Sequence, residues 1–416
     1  MLKSKKQGFI KGVKEKRNNM KRLNLYYFGD IEVYDKYNPA YVCDENFASE
    51  ILYIIAENEA FSLTQEDISK FIDIDNHRLN SIISNLKRIN AIEQKEDKYK
   101  INFPVFLESD IEIMDVYLKN VGEQIVDRII KIKPLVVEKL QNLSSYKIFD
   151  EERLLYHIIC DMIFDGIAFD FFEERNVFTS SKRQPGNRNY MIIGYEDSYI
   201  VDSYSNKPLC SSNNYGSNKF IFNSFGDSNG VRKDMYRFFR MTQQSIRNST
   251  PFQDLNLPYI KIIDKVNKNI AEKCGQLMWG IFSEATNYNE LSNEDKELAI
   301  FLKEMDYINI DETDNKLYCN VPIFQERDMK IVTEIGEIIL IEVLETVKNT
   351  LSSIEKYSKG LTAIKHKVSI KEVGNELWHQ IFGRANEELI KEGIVAKPYS
   401  SEQEGRYLRS MKIYSQ

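Results

Sequence analysis

Four histidines are the side chains of this sequence best suited to acid–base or metal chemistry near neutral pH. One of them, His77, falls on the polar face of a helical pattern. Two others follow aromatic residues in apolar-periodic helical patterns, as the pairs Tyr156-His157 and Trp378-His379. These pairs could mark an effector pocket, although a buried, hydrogen-bonded histidine beside an aromatic residue is the commoner reason for such a pair.

Sequence patterns of common catalytic sites are missing from the chain. It has no GxxxxGK[ST] or GxGxxG to hold phosphates, no HExxH and no GxSxG. Adjacent carboxylates such as Glu173 and Glu174 fall on polar helix faces, where solvation explains them. Five cysteines stand singly and are interpreted as small core residues. We therefore expect no enzyme, no cofactor and no metal site.

A polar stripe between residues 76 and 90 is suited to recognition rather than catalysis. Apolar residues recur there at helical spacing, at Leu79, Ile82, Ile83 and Leu86. The opposite face is polar and mostly neutral or basic. Asp75 is the predicted cap of this helix, and Asn90 can end it in a left-handed turn.

The preceding residues predict two further helices, and the following residues predict a hairpin. The first helix covers 47–56, with Asp44 or Asn46 as its cap. The second begins at Thr64, three residues before Asp67, in a box-like start that satisfies orphan amide donors. Residues 92–101 flank a polar tip of Lys95, Glu96 and Asp97, which is typical of a short hairpin.

Helix, helix, tight turn, helix and hairpin within residues 47–103 resemble the winged helix-turn-helix of bacterial transcription regulators of the MarR and ArsR kind. The residues at that family's usual offsets are Ile74, Asp75, Leu79, Ile83 and Leu86. Two features depart from the family. Asp73 and Asn90 stand where glycine or alanine is usual, and the wing tip carries Glu96 and Asp97, which repel phosphate.

The resemblance implies a DNA-binding surface on the third helix and the wing. Base edges would be read by Asn76, His77, Arg78, Asn80 and Ser81. Phosphates or the groove wall would be contacted by Thr64, Ser84, Asn85, Lys87 and Arg88. The wing residues Lys95 and Lys98 would touch the neighbouring backbone.

An internal repeat is visible when the chain is compared with itself at an offset of roughly 220 residues. YKINFPVF at 99–106 is echoed by LYCNVPIF at 317–324, and the two histidine–aromatic pairs recur at a similar offset. We predict a tandem duplication of a winged helix, two long helices and a small hairpin. The second winged helix, within 270–321, is about ten residues too short for both inner helices, and its predicted recognition surface is acidic.

This repeat predicts a mainly α-helical α+β protein with small β-hairpins. The predicted divisions are a basic arm and lead-in at 1–43, a winged helix at 44–105, a helical domain with a β-hairpin at 106–205, a linker with a basic-aromatic helix at 206–268, a degenerate winged helix at 269–322 and a second helical domain at 323–416. Within these divisions, 199–204 is predicted as a strand, 209–218 as a linker and 231–248 as the basic-aromatic helix.

Composition and charge restrict how such a protein could bind DNA. The net charge is −7, so binding depends on local patches such as the lysine- and arginine-rich residues 1–22. No apolar run is long enough to span a bilayer, and no signal peptide is visible, so we expect a cytoplasmic protein without membrane contact.

The leading hypothesis is a sequence-specific transcriptional regulator that binds double-stranded DNA as a homodimer, with the later helices serving dimerisation or a small-molecule or peptide effector. Two alternatives stay open. The chain could be a plasmid or phage replication initiator with tandem winged helices, or a scaffold in which winged helices bind proteins.

Overall fold

A computed structural model describes residues 20–31, 34–205, 209–228, 257–401 and 405–414, with the side chains of 205, 257–267 and 401 left aside. The described residues form a mixture of helices and small β-sheets, which confirms the predicted α+β class.

The α-helices of the described residues are, in chain order, α1 Pro39–Cys43, α2 Ala48–Glu57, α3 Gln65–Phe71, α4 Asn76–Arg88, α5 Glu108–Leu118, α6 Val121–Leu140, α7 Glu151–Leu155, α8 Ala168–Glu174, α9 Tyr199–Ser205, α10 Leu257–Ser283, α11 Asn293–Glu304, α12 Glu326–Tyr357, α13 Thr362–Lys365 and α14 Ile370–Lys391. A π-helical stretch covers Tyr156–Ile167, and a short 3-10 helix covers Tyr288–Glu290.

The strands are β1 Leu23–Asp30, β2 Leu63–Thr64, β3 Ile92–Lys95, β4 Lys98–Ile101, β5 Val105–Phe106, β6 Arg183–Gln184, β7 Arg188–Glu196, β8 Leu209–Gly216, β9 Phe220–Asp227, β10 Thr286–Asn287, β11 Ile308–Ile310, β12 Lys316–Cys319, β13 Ile323–Gln325, β14 Tyr399–Ser401 and β15 Gly405–Ile413.

The chain divides into two compact units, each assembled from three separate stretches. Unit 1 contains Met1–Tyr117, Asn176–Tyr204 and Thr350–Leu377. Unit 2 contains Leu118–Arg175, Ser205–Asn349 and Trp378–Gln416.

Unit 1 is built on the sheet β1–β7–β5, with β6 also paired to β7. Strand β1 runs antiparallel to β7 from Leu23 opposite Glu196, and β5 runs parallel to β7. Residues 63–101, called here the first segment, supply α3, α4 and a second sheet in the order β2–β4–β3. Ile51, Ile68 and Leu79 belong to one buried apolar cluster, which holds α2, α3 and α4 together.

Unit 2 contains a sheet of similar construction, in the order β13–β15–β9–β8. Strand β9 runs antiparallel to β15, and β13 runs parallel to β15. Residues 286–319, the second segment, form the sheet β10–β12–β11 with α11 packed beside it. Phe222, Leu302 and Tyr307 lie in one buried cluster of this unit.

Matching hydrogen bonds recur inside the two units. In unit 1, the buried Asp110 carboxylate accepts hydrogen bonds from the amides of Leu107 and Thr362, each at 2.8 Å. In unit 2, the buried Asp328 carboxylate accepts from the amides of Gln325 at 2.8 Å and Ser144 at 3.0 Å.

The two hairpins are also closed in the same way. The Asn102 side chain donates to the carbonyl of Asn90, and the Asn320 side chain donates to the carbonyl of Asp306, each at 3.2 Å. Asn90 and Asp306 have φ values of 59° and 61°. The predicted left-handed turn at Asn90 is confirmed.

Two predictions of local structure are wrong. Residues 199–204 were expected to form a strand, but they lie in α9, because the hydroxyl and carbonyl of Ser198 accept hydrogen bonds from the amides of Val201 and Asp202 and so start a helix. Residues 209–218 were expected to form a linker, but most of them form β8, because pairing with β9 buries Leu209 and Tyr215.

Helix boundaries differ from the predictions in two further places. The first helix begins at Ala48 after Phe47, whose φ is 77° and whose side chain makes no capping bond, so the predicted caps Asp44 and Asn46 are wrong. The apolar spacing of residues 111–132 predicts one long helix, but the structure has two helices there, α5 and α6. The predicted basic-aromatic helix at 231–248 lies outside the described residues.

Candidate nucleic-acid interface

Helix α4 is positioned by its cap and by one apolar face. Asp75 accepts a hydrogen bond from the amide of Arg78 at 2.8 Å, as predicted for the cap. Leu79, Ile83 and Leu86 are buried, so the helix is fixed along that side. The opposite side faces solvent.

Five of the predicted base-reading and phosphate-facing residues form an exposed stripe on that side. These residues are Asn76, His77, Asn80, Ser81 and Ser84. Their side chains make no hydrogen bond or ion pair within the described part of the chain. Amide, imidazole and hydroxyl groups can both donate and accept hydrogen bonds. A ligand that docks on α4 would meet uncommitted polar groups.

Three other predicted residues are engaged inside the protein. The Arg78 guanidinium lies over the ring of Phe47, 5.4 Å from its centroid. Asn85 donates to the Glu45 carboxylate at 3.0 Å, and Arg88 donates to the Asn85 side-chain oxygen at 2.8 Å. To bind DNA directly, these side chains would have to exchange the internal contacts for external ones.

The residues predicted to contact DNA at the start of α3, at the end of α4 and at the wing also fall into two groups, those with a partner inside the protein and those without one. Thr64 forms a capping box with Asp67, which confirms the predicted start of α3 and occupies the Thr64 hydroxyl. Lys87 donates to the side chain of Gln94. In contrast, Lys95 and Lys98 have no side-chain partner among the described residues.

Basic residues on α4 would attract an anion, whereas acidic residues just before the helix and at the hairpin tip would repel it. Helix α4 contains Arg78, Lys87 and Arg88 and no acidic residue. The exposed acids Asp73 and Asp75 precede it, and Glu96 and Asp97 occupy the hairpin tip. A polyanion would therefore be attracted to the end of α4, where Lys87 and Arg88 lie, rather than to the hairpin tip.

A contact that the sequence did not predict fixes strand β4. His366 is fully buried in unit 1, where its Nδ1 accepts from the Ile101 amide at 3.1 Å and its Nε2 lies 3.2 Å from the Ala56 carbonyl oxygen. This arrangement requires a neutral ring that donates from Nε2. Burial lowers the pKa of His366. No local sequence signal could have joined positions so distant in the chain.

The second segment presents a different surface on α11. The short 3-10 helix Tyr288–Glu290 precedes α11, whereas α3 precedes α4 in the first segment. Glu294, Glu297 and Glu304 are exposed on α11. This surface would repel a phosphate backbone.

Three of the four predicted effector-pocket residues are fully buried in unit 2, namely Tyr156, His157 and Trp378. The Tyr156 hydroxyl donates to the Phe225 carbonyl at 3.0 Å, and the Trp378 indole donates to the Phe164 carbonyl at 2.8 Å. His157 is fully buried with neither ring nitrogen bonded, and burial lowers its pKa. These three side chains act as core residues in the structure.

His379, the fourth of these residues, lies beside an acid. Its Nε2 is 4.0 Å from the Asp165 carboxylate. Burial raises the pKa of Asp165 to about 7, with the nearby His379 opposing that effect. The Asp165 carboxylate also accepts a hydrogen bond from the Ser212 amide at 3.0 Å.

Two residues of the predicted basic arm are bound to the body of unit 1. Lys21 pairs with Glu196 and Arg22 pairs with Asp197, each at 2.7 Å. Residues 1–19 lie outside the described residues.

Comparisons with protein-family models, curated proteins and solved structures found no match for this chain. None of the helices described is long and apolar enough to cross a membrane. Within the same residues, no cluster of three or more histidine, cysteine, aspartate or glutamate side chains could hold a metal ion.

Proposed function

We propose that the protein binds double-stranded DNA through α4 and regulates transcription, with residues 44–105 acting as a winged helix-turn-helix. The observation that supports this proposal best is the exposed stripe of five uncommitted polar side chains on a helix that carries basic residues and no acid. Side chains of this kind read base edges in the major groove, while nearby lysines and arginines contact phosphates.

The arrangement of elements supports the same proposal. Helices α2, α3 and α4 are followed directly by the β3–β4 hairpin, and α3 and α4 are separated by a short turn. In a winged helix this order places the last helix in the major groove and the hairpin beside the backbone. Lys95 and Lys98 are the side chains of the hairpin available for that second role.

We also propose that the second segment is a degenerate copy of the first. The equivalent hydrogen bonds of Asp110 and Asp328, and of Asn102 and Asn320, support a tandem duplication. The acidic face of α11 and the loss of an α3 equivalent argue that this copy has no DNA-binding role. A replication initiator that needs both copies on DNA is correspondingly disfavoured.

The test is selection of bound duplexes from a random DNA pool, followed by titration of the enriched site and of random DNA at several salt concentrations. Asn80→Ala should lose roughly 1–3 kcal/mol of discrimination between these two DNAs. Asn293→Ala, at an exposed asparagine in the first turn of α11, is the matched control and should bind like the wild type. Equal losses on specific and random DNA would contradict base reading by Asn80.

The same selection tests the predicted homodimer. A twofold dimer would enrich a palindromic site, with half-sites separated by about one helical turn or a multiple of it. An enriched site without symmetry would argue for a single chain on DNA.

A protein-binding role is the second candidate, and the internal contacts of Arg78, Asn85 and Arg88 favour it. A surface whose basic residues are already satisfied is less suited to phosphates than to a neutral partner. Absence of any enriched duplex, together with binding to random DNA that Asn80→Ala does not change, would favour this role.

A further inference from the structure

A groove in unit 2 shares no lining residue with α4 and has no role in the proposal above. It has a volume of about 870 Å³ and opens where α12 begins and β15 ends. The residues that give it chemical character are Lys219, Trp279, Arg327, Lys330 and Tyr414. Its size is within the usual range for sites that bind small molecules.

The cations of this groove have few anionic partners, and Lys330 interacts electrostatically with Glu334, which is itself paired with Lys139. Lys219 and Lys330 form no ion pair within the described part of the chain. Arg327 uses its Nε to donate to the Ser144 hydroxyl at 3.0 Å, which orients the guanidinium and leaves its terminal nitrogens available. Glu326 is the one acid of the lining against these three cations. The groove therefore favours an anion.

Aromatic side chains line the same groove. Trp279 is half-buried and stacks on Phe282, with ring centroids 5.9 Å apart and an interplanar angle of 27°. Tyr414 is 36% exposed. An indole held by a stacking partner is a ready platform for a planar ring.

The corresponding place in unit 1 shows that this combination is a specific change. The Asp197 amide donates to the Arg22 carbonyl at 2.8 Å, as the Tyr414 amide donates to the Lys219 carbonyl at 2.9 Å. In unit 1, the side chain of Arg22 is paired with the Asp197 carboxylate. Tyr414 replaces that acid in unit 2, so the backbone arrangement is kept while the neutralising carboxylate is lost.

A second acid is lost at the neighbouring strand position. Leu23 at the start of β1 pairs with Glu196, and Phe220 at the start of β9 pairs with Ile413. Glu196 neutralises Lys21 in unit 1, whereas Ile413 is an apolar part of the groove wall. Two acids of unit 1 thus correspond to an aromatic and an aliphatic residue beside the basic side chains of unit 2.

We propose that this groove binds a nucleotide, with its phosphates on Lys219, Arg327 and Lys330 and its base stacked on Trp279. Charge-assisted hydrogen bonds would hold the phosphates, and stacking would hold the base without strong sequence preference. The nucleotide can be free or can be part of a single strand. The proposal does not depend on DNA binding by α4.

Tryptophan fluorescence tests the proposal directly. The chain has two tryptophans, and Trp378 is fully buried, so quenching by an added ligand reports on Trp279. The full-length protein should be titrated with adenosine monophosphate, adenosine diphosphate, an oligothymidylate and inorganic phosphate, with calorimetry as a second readout. We expect quenching and binding heat with the mononucleotides or the oligothymidylate, and weaker binding of inorganic phosphate.

Charge reversal supplies the matched comparison. Lys330→Glu should weaken nucleotide binding by about tenfold or more, because it places an acid among the phosphate-binding cations. Lys348→Glu makes the same change on α12, at a partly exposed lysine that pairs with Glu345 outside the groove lining, and should bind like the wild type. Trp279→Phe should abolish the quenching and retain binding heat.

The results separate the sources of the ligand. Saturable binding of mononucleotides indicates a free nucleotide, and binding confined to the oligothymidylate indicates a single strand. Inorganic phosphate that binds as tightly as the nucleotides would overturn the base-stacking assignment. Absence of binding by every probe, or equal binding by wild type and Lys330→Glu, would overturn the nucleotide site.

Discussion

Helix α4 of the first segment and α11 of the second each lead into a two-stranded hairpin through a left-handed residue, Asn90 and Asp306. Each hairpin is closed by an asparagine side chain that donates to that residue's carbonyl. Their solvent faces differ, because α4 exposes neutral polar groups where α11 exposes acids.

The comparison shows which parts of such a segment are restricted by folding. Interior hydrogen bonds recur because an unsatisfied buried polar group costs free energy wherever it occurs. Exposed side chains carry no such cost, so their chemistry can change without loss of the fold. The exposed stripe of α4 is therefore more informative about function than the core on which it rests.

The largest effect should come from removing a buried carboxylate that both units use. Asp110→Ala leaves the amides of Leu107 and Thr362 without their acceptor and should lower the free energy of unfolding by about 3 kcal/mol. Asp328→Ala should have a similar effect, because Asp328 accepts from Gln325 and Ser144. Urea denaturation of both variants measures this, and a large difference between them would break the structural equivalence.

The next largest effect concerns the exposed helix face, in which the two segments differ. By alignment of the hairpins, Ser81 on α4 matches Glu297 on α11, and both are exposed. Ser81→Glu imports an acid to the proposed DNA-binding face and should weaken DNA binding by about 2 kcal/mol, roughly thirtyfold in Kd. Filter binding at low salt measures it, with Ser81→Ala as the control for loss of the hydroxyl alone. Unchanged affinity in Ser81→Glu would remove α4 from the interface.

The elements of the first segment could be predicted from sequence because their causes are local. The apolar spacing of α4, its cap at Asp75 and the capping box at Thr64 all lie within a few residues of the structure that they produce. Strand β8 was missed for the opposite reason. Its serines and asparagines favour turns in isolation, and only pairing with β9 makes a strand.

The engagement of the predicted site residues could not be read from the sequence either. Asn85 meets Glu45, and Arg78 meets Phe47, only because α4 packs beside the residues that precede α2. Neither pair has the spacing of neighbours on one helix or hairpin. The sequence indicated which side chains are polar, and the tertiary structure decides which of them remain free.

Of the two hairpins, that of the first segment should be the more sensitive to acid. His366 bonds to the Ile101 amide. Its counterpart in the repeat is Ile148, because Thr362 and Ser144 make the equivalent hydrogen bonds to Asp110 and Asp328 and each lies four residues earlier. The Ile148 side chain cannot make such a bond. Burial lowers the pKa of His366 from its usual 6.5, so the unfolded chain takes up a proton before the folded one does. The stabilisation is complete above pH 6.5 and decreases by up to about 1.4 kcal/mol per pH unit below it, until the folded pKa is reached.

Hydrogen exchange of backbone amides measures this effect. As the pH is lowered from 7 to 5, the protection of the Ile101 amide should fall more than that of Cys319, its counterpart in β12. His366→Asn should remove the difference in pH dependence, although it also lowers stability. Acid sensitivity at Ile101 that persists in this variant would assign the effect to another group.

The smallest expected effect is at the hairpin tips. Glu96 adopts a φ of 57° and Asn315 one of 59°, and asparagine tolerates this left-handed conformation better than glutamate does. Glu96→Gly should therefore raise the free energy of unfolding by about 0.5–1 kcal/mol, because glycine removes the steric cost of positive φ. Thermal denaturation measures the gain, and Asn315→Gly, which relieves less strain, should give a smaller one.

If the proposed wing lies beside DNA, Glu96→Gly should also strengthen binding to all sequences, since it removes an acid that faces phosphate. A gain in stability without a gain in affinity would place the hairpin tip away from the DNA and limit the proposed interface to α4.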